Sequence, residues 1–201
     1  MSVPEAKQGL DARGFEVALA DGTAARLRPL QPDDKACLAW GMEQLSAESR
    51  YHRFFTSAPQ LSQEQLRYLT EIDQRRHVAW LAVRPGTTDH TGMGVGRYVC
   101  LRNAPDIAEV ALTVLDEHQG TGLGTWLLAT LHVCALKSDV RVLRAMVLPE
   151  NRRVIEWLMR LGAKSHYIDG MVEMDLDAMN WRASPGLREK VEYVMGKPMG
   201  D

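Results

Sequence analysis

At 201 residues, with 24 Lys and Arg against 26 Asp and Glu, the chain carries a formal net charge of -2. That balance excludes the global basic field needed to hold nucleic acid or an anionic membrane surface. A hydrophobic content of 45% and a charged content of 25% suit one globular domain with a sizeable core, and no run of about 18 apolar residues offers a transmembrane helix.

The N-terminus, Met1 to Leu10, lacks the apolar stretch of a signal peptide. Cys37, Cys100 and Cys134 are odd in number and far apart. They read as reduced core thiols in a cytoplasmic protein. Cysteines and histidines show no metal-ligand spacing, so no metal is expected. Residues 1–13 are small and polar, an expected flexible arm. A domain over 14–178 and a tail over 179–201 with a short helix are expected to follow.

Within the domain, Glu16–Leu19 and Ala25–Pro29 flank Asp21-Gly22, a hairpin signal. Pro32-Asp33-Asp34 opens a helix to about Gln44, with Asp33 or Asp34 as its cap. Ser46 to Phe55 reads as a short second helix. After Pro59, Ser62-Gln-Glu-Gln65 fits a capping box opening a third, to about Ile72. His77–Val83 is an apolar strand, Pro85 to Gly92 a turn, Gly94–Leu101 a strand and Asn103-Ala-Pro-Asp106 a turn.

Ala108 to Val114 alternates Val110, Leu112 and Val114 on one face, as a half-buried strand does. The loop Gly120-Thr121-Gly122-Leu123-Gly124 then leads into an amphipathic helix with Trp126, Leu127 and Leu131 at helical spacing. Val140–Leu148 is a further strand. Pro149-Glu150-Asn151 breaks it and caps a helix that Gly162 ends. Asp169-Gly170 joins the last hairpin, and Ser184-Pro185 caps a final helix carrying Leu187, Val191 and Val194. Together these elements give an α/β layered architecture, a central sheet of about seven strands with helices on both faces.

A glycine-rich loop running into a helix N-terminus binds phosphate, because unpaired amides and the positive dipole end meet there. A nucleoside-triphosphate loop would need a lysine and a hydroxyl residue after the last glycine, whereas Thr125 and Trp126 follow Gly124. A dinucleotide fingerprint would need a third glycine at Thr125 and would follow its strand directly. Here Leu115 to Gln119 intervene. The pattern that fits is Gln119, two residues, Gly122, one residue, Gly124, with Val114 closing the strand five residues earlier.

That pattern resembles the pyrophosphate loop of the GCN5-related N-acetyltransferase (GNAT) superfamily, whose members use acetyl-CoA and have a mixed central sheet. Val147-Leu-Pro-Glu-Asn-Arg-Arg153 resembles the superfamily's second coenzyme-binding segment. Leu27-Arg-Pro-Leu30, Ser46 to Phe55, Leu61 to Leu66 and Thr70-Glu-Ile-Asp73 are similar to the acetyltransferase module of bacterial protein-lysine acetyltransferases associated with acyl-CoA synthetases.

The resemblance implies acetyl transfer to a primary amine by direct attack on the thioester. A protein lysine, such as one on an acyl-CoA synthetase, is the favoured acceptor. Small-molecule amine acetylation and a non-catalytic acyl-CoA sensor are the alternatives, and the subunit is a monomer or homodimer. Glu109 matches the family's general base, or is an edge-facing, solvated glutamate. Two-residue alternation places it opposite Val114, a parity that a β-bulge would change. Main-chain groups of Leu112, Thr113 and Val114 are implied for the pantetheine arm. Gln119, Gly120, Thr121, Gly122, Leu123, Gly124 and Thr125 are implied for the diphosphate.

Asn151 matches a residue that contacts the coenzyme, or is a plain helix cap. Arg152 and Arg153 are within reach of a phosphate but, as helix-surface arginines, are read as solvated, and His118 is read as exposed. His52, with Tyr51 and Arg53, either lines the acceptor entrance or belongs to a packed helix. The frequent general-acid tyrosine is absent, its position being Leu158. Spacing does not favour Ser165 or Tyr167, so no general acid is assigned.

Overall fold

The computed structural model describes residues 10, 13–54, 60–86, 91–183 and 185–196 of the chain, with the side chains of 181–185 left aside. Most of the expected N-terminal arm, the end of the second helix at Phe55, the tip of the turn at 87–90, the cap at Ser184 and the last five residues lie outside them.

The strands are β1 (Phe15–Ala18), β2 (Ala24–Pro29), β3 (His77–Val83), β4 (Gly92–Cys100), β5 (Ile107–Val114), β6 (Val142–Val147), β7 (Lys164–Ile168) and β8 (Met171–Asp177). They form one eight-stranded sheet in the order β1-β2-β3-β4-β5-β6-β8-β7, against about seven expected. Every neighbouring pair is antiparallel except β5 and β6, which makes the sheet mixed.

Among the described residues six α-helices cover it: α1 (Lys35–Gln44), α2 (Ala47–Phe54), α3 (Gln63–Thr70), α4 (Leu123–Lys137), α5 (Arg152–Arg160) and α6 (Pro185–Val194). One face carries α1 to α3, packed around Leu30, Cys37, Leu38, Leu66, Ala79 and Leu81. The other carries α4, α5 and α6 over a larger core that includes Val110, Leu127, Leu131, Leu143, Leu158, Leu187 and Val191. β3 reads as an unbroken apolar run because it is buried on both faces.

Local chemistry sets the element ends. Ser62 Oγ accepts from Gln65 N at 3.2 Å while Gln65 Oε1 accepts from Ser62 N at 2.8 Å, closing the capping box at α3. Asp169 at φ 50 and Gly170 at φ 80 turn β7 into β8, as a two-residue hairpin requires. Asp34 precedes α1, but its carboxylate does not cap that helix. It accepts from Gln31 N at 2.7 Å and is gripped by Arg28 at 2.6 and 2.7 Å.

Two packing features differ from the sequence expectation. The helix α4 is buried almost all round, not on one stripe, because α6 covers the side that the sheet leaves open. Tyr193 of α6 packs edge-on against Trp126 at 5.3 Å, and the Lys190 ammonium sits 4.9 Å from the same ring. The β-bulge also lies elsewhere. Ala82 pairs with Gly94 but Val83 with Gly92, so Met93 of β4 is the extra residue. Pairing between β4 and β5 runs without a shift from Gly94–Val114 to Cys100–Ala108. Glu109 therefore stays on the face opposite Val114.

Glycine brings β4 close to its neighbours. A Cβ on Gly94 would lie 2.8 Å from Thr113 O, and one on Gly96 would lie 2.8 Å from Leu112 Cδ2 and 3.1 Å from Leu131 Cδ1. Gly94→Ala is expected to destabilise the fold by about 1–3 kcal/mol in urea unfolding, since backbone must shift. A loss below about 0.5 kcal/mol would show that β4 and β5 have slack there.

The sheet also half-buries an imidazole. Burial, and then the neighbouring Arg97 charge, push His77 down to about 4 against the weaker opposing pull of Asp73. The unfolded chain binds a proton at His77 below its ordinary 6.5, whereas the folded chain resists until about 4. Stability should therefore fall as pH drops through that window. Thermal unfolding from pH 7 to 4 should show a shallower acid loss in His77→Gln than in the unchanged chain. Parallel curves would contradict the burial argument.

Candidate active site

The strands β5 and β6 pair only through Ile107–Val142, Ala108–Leu143 and Glu109–Arg144. Beyond Glu109 they part: β5 continues along β4 to Val114, while β6 continues along β8 to Val147. The parting leaves an edge of β5 at Leu112, Thr113 and Val114 with no strand beside it. An extended ligand can add there as a strand would.

At the wide end of this gap the chain makes a 3-10 turn over Asp116–His118 and enters the glycine loop. Gly120 at φ 82 and Gly122 at φ 89 hold left-handed backbone that a side chain would strain. Gly122 is the N-cap of α4. Thr125 N and Trp126 N both turn back onto Gly122 O at 3.1 Å. The Thr125 hydroxyl accepts from Trp157 Nε1 at 3.3 Å, so this residue is engaged by both its groups. Thr121 is buried, its hydroxyl bonded to His118 O at 2.7 Å and its carbonyl to Ala20 N at 2.9 Å. Leu123 is fully buried in the core and anchors the loop from below. Gly124 lies under Trp157, 3.9 Å from where a Cβ would stand. Glycine conformations, a helix N-terminus and an open strand edge together form a cradle that fits an extended thioester coenzyme with a diphosphate.

Gln119 joins the parts of this site. Its amide Nε2 reaches Val114 O at 3.3 Å, Asp116 Oδ1 at 3.0 Å and Ser49 Oγ at 3.2 Å, and its Oε1 accepts from Arg153 Nη1 at 3.2 Å. Asp116 in turn accepts from Ser46 N at 2.8 Å and Ser49 Oγ at 2.5 Å, tying the start of α2 to the loop. Burial opposes ionisation of Asp116, but the bonds from Ser49 and Ser46 outweigh it and hold the carboxyl below its ordinary range.

Arg153 is exposed, as read, and it also lies against the loop, with Nη2 3.5 Å from where a Gly120 Cβ would stand. A cation there meets the loop that the sequence assigns to a diphosphate. Its only sequence signal was its place in the segment after β6, because contact depends on how α5 packs. His118, read as exposed, is only 7% exposed. The 3-10 turn folds it inward, with Nε2 3.3 Å from Glu117 Oε1. Asn151 caps α5, its Oδ1 accepting from Val154 N at 3.3 Å. Leu158 is buried, and Ser165 and Tyr167 are exposed on β7, the outermost strand.

On the opposite face, Glu109 stands at the last paired position of β5 and opens into a cavity of about 370 Å³ beneath α2 and α3. Arg53, Phe54, Gln65, Tyr68 and Arg97 line it with Glu109. Burial lowers Arg53 to about 10, with Glu109 pulling the other way, and burial and then the Arg53 charge lower Arg97 to about 10. A narrow apolar pocket lies alongside, among Met42, Leu45, Phe54, Gly94, Thr113 and Leu115. Tyr51 is exposed and His52 half-buried, and neither lines these cavities. No group of three or more metal-ligating side chains occurs among the described residues.

The acetyltransferase (GNAT) domain family matches residues 25–164. Acetyltransferase Pat of Mycolicibacterium smegmatis is 34% identical over 141 residues, which is 68% of this chain and 40% of that protein. This chain therefore spans well under half of Pat. The GNAT domain of S. lividans PAT superposes with a TM-score of 0.75 at 33% identity, over 82% of this chain and 96% of that one. The fold is also that of yncA from Salmonella typhimurium, a putative acetyltransferase solved with its cofactor acetyl-CoA (TM-score 0.61, 16% identity, 77% of this chain and 94% of that one). The cleft between β5 and β6, its glycine loop and the family match agree: the chain belongs to the GNAT acetyltransferase family, whose members use acetyl-CoA.

Proposed function

We propose that the chain transfers an acetyl group from acetyl-CoA to the side-chain amine of a protein lysine. The observation that carries this reading is the position of Glu109. It is the last residue of β5 paired with β6, at the apex of the gap, and it faces the cavity under α2 and α3. Coenzyme and acceptor then approach one point from two faces of the sheet. The acceptor class is supported by the likeness to Pat and to the GNAT domain of S. lividans PAT.

In this reading acetyl-CoA supplies an activated acetyl group as a thioester. Main-chain groups of Leu112, Thr113 and Val114 hold the pantetheine arm. The amides of Gly120 to Gly124 hold the diphosphate, those of Gln119 and Thr125 being bonded to Asp116 O and Gly122 O, and Arg153 adds charge. Asn151 sits at the head of α5 beside that cradle. The lysine amine must be neutral to attack. With an ordinary value near 10.4, neutralising it at pH 7 costs about 4.6 kcal/mol. Glu109 takes the proton as the N–C bond forms and the C–S bond breaks. The departing thiol titrates near about 8.5 and leaves without a dedicated acid. The acetyltransferase unit is residues 14–178, with α6 closing the far side of α4. Its setting is the cytoplasm, and a lysine on an acyl-CoA synthetase is the first acceptor to try.

Glu109→Gln is expected to lower kcat by at least about 100-fold while acetyl-CoA binding is unchanged. Unaltered kcat would remove Glu109 from the chemistry. A parallel screen of lysine peptides and small metabolite amines decides the acceptor: turnover on peptides supports the protein-lysine reading, and turnover on metabolites alone overturns it. Coenzyme binding with no turnover on either set would make the chain a sensor.

A further inference from the structure

The cavity that Glu109 shares holds one buried arginine, Arg97, and one half-buried arginine, Arg53, with too little negative charge to match them. Arg97 is only 6% exposed, in the middle of β4 between Val95 and Val99. Its Nη1 donates to Leu69 O at 3.1 Å and lies 3.2 Å from His77 Nε2, neither of which is an anion. Arg53 is desolvated beside it, close enough for the two charges to repel. Its Nε is buried with no hydrogen-bond partner, and its guanidinium lies 4.8 Å from the Phe54 ring. Among the described residues neither arginine has a carboxylate within ion-pair distance. A buried charge left unpaired is costly, so such an arrangement persists where a ligand completes it.

We infer that Arg53 and Arg97 form a carboxylate subsite beside Glu109, so that the preferred acceptor carries a carboxylate close to the amine it offers. The inference rests on the acetyltransferase reading of Glu109. Charge balance selects the anion: two guanidinium groups and one glutamate leave a single positive charge, which a carboxylate neutralises. A dianionic phosphate would leave excess negative charge beside Glu109. In a protein acceptor the carboxylate is an acidic side chain next to the lysine. In a small acceptor it is the α-carboxylate of an amino acid.

The test uses the full chain with two matched pairs of acceptors. One pair is a lysine peptide with flanking glutamate and the same peptide with glutamine. The other is a free amino acid and its carboxamide. Steady-state kcat/KM is measured on both pairs. Calorimetric binding of the Nε-acetylated peptides to the CoA-loaded protein is measured as well, since it needs no turnover. The glutamate peptide should be favoured at least about tenfold in kcat/KM and in affinity, mainly through KM. Arg53→Gln and Arg97→Gln should each reduce that preference to about twofold or less, while acetyl-CoA affinity holds, and Arg53→Lys should keep part of it.

A preference confined to the amino acid would keep the subsite and overturn the protein-lysine acceptor. Preferential binding without turnover would keep the subsite and overturn the catalytic reading. Turnover on lysine peptides with no charge preference in the unchanged chain, or a preference that survives both glutamine variants, would overturn the subsite and leave the acetyltransferase reading standing.

Discussion

The parting of β5 from β6 after Glu109 is the constraint on which the rest of the site depends. A strand inside a sheet normally has both edges hydrogen-bonded, and an unpaired buried edge costs as much as the bonds it lacks. Here the edge at Leu112–Val114 is only half-buried, and each strand keeps its other partner, β5 on β4 and β6 on β8. The gap so held open is lined on one side by strand backbone. At its wide end stand the glycine loop and the N-terminus of α4.

The two faces of the sheet meet this gap differently. Below it, α4 presses on Gly94 and Gly96 of β4 and fixes β5 through Leu112 and Val114. Above it, α2 and α3 roof a cavity where charged side chains stand among apolar ones. Gln119 and Asp116 link the two levels, since the residue that touches Val114 O and Arg153 also touches Ser49 of α2. Ordering of the loop by a ligand can therefore be felt at α2 through three or four hydrogen bonds, each worth about 0.5–1.5 kcal/mol.

Much of this was legible in the chain. The Asp-Gly pairs placed both hairpins, the Ser62 capping box placed α3, and Gln119, Gly122 and Gly124 placed the loop, because these signals are local. What escaped was set by tertiary contact. Periodicity gave α4 one apolar face, but α6 buries the other. Arg97 sits in a glycine- and valine-rich strand, and no local pattern reveals that its face turns toward α3 and the Arg53 side chain. His118 turns inward through the 3-10 turn. A bulge in β5 would have moved Glu109 to the Val114 face. The bulge's place at Met93 of β4 leaves Glu109 facing the cavity under α2 and α3.

The central claim is that main-chain amides between β5 and α4 grip the coenzyme. Titrating acetyl-CoA into the isotope-labelled chain while following backbone amide shifts addresses those groups one by one. Saturable shifts concentrated at Leu112–Val114 and Gly120–Gly124, with smaller ones reaching Ser49, are the expected result. Absence of binding, or saturable shifts confined to another part of the sheet, would contradict it.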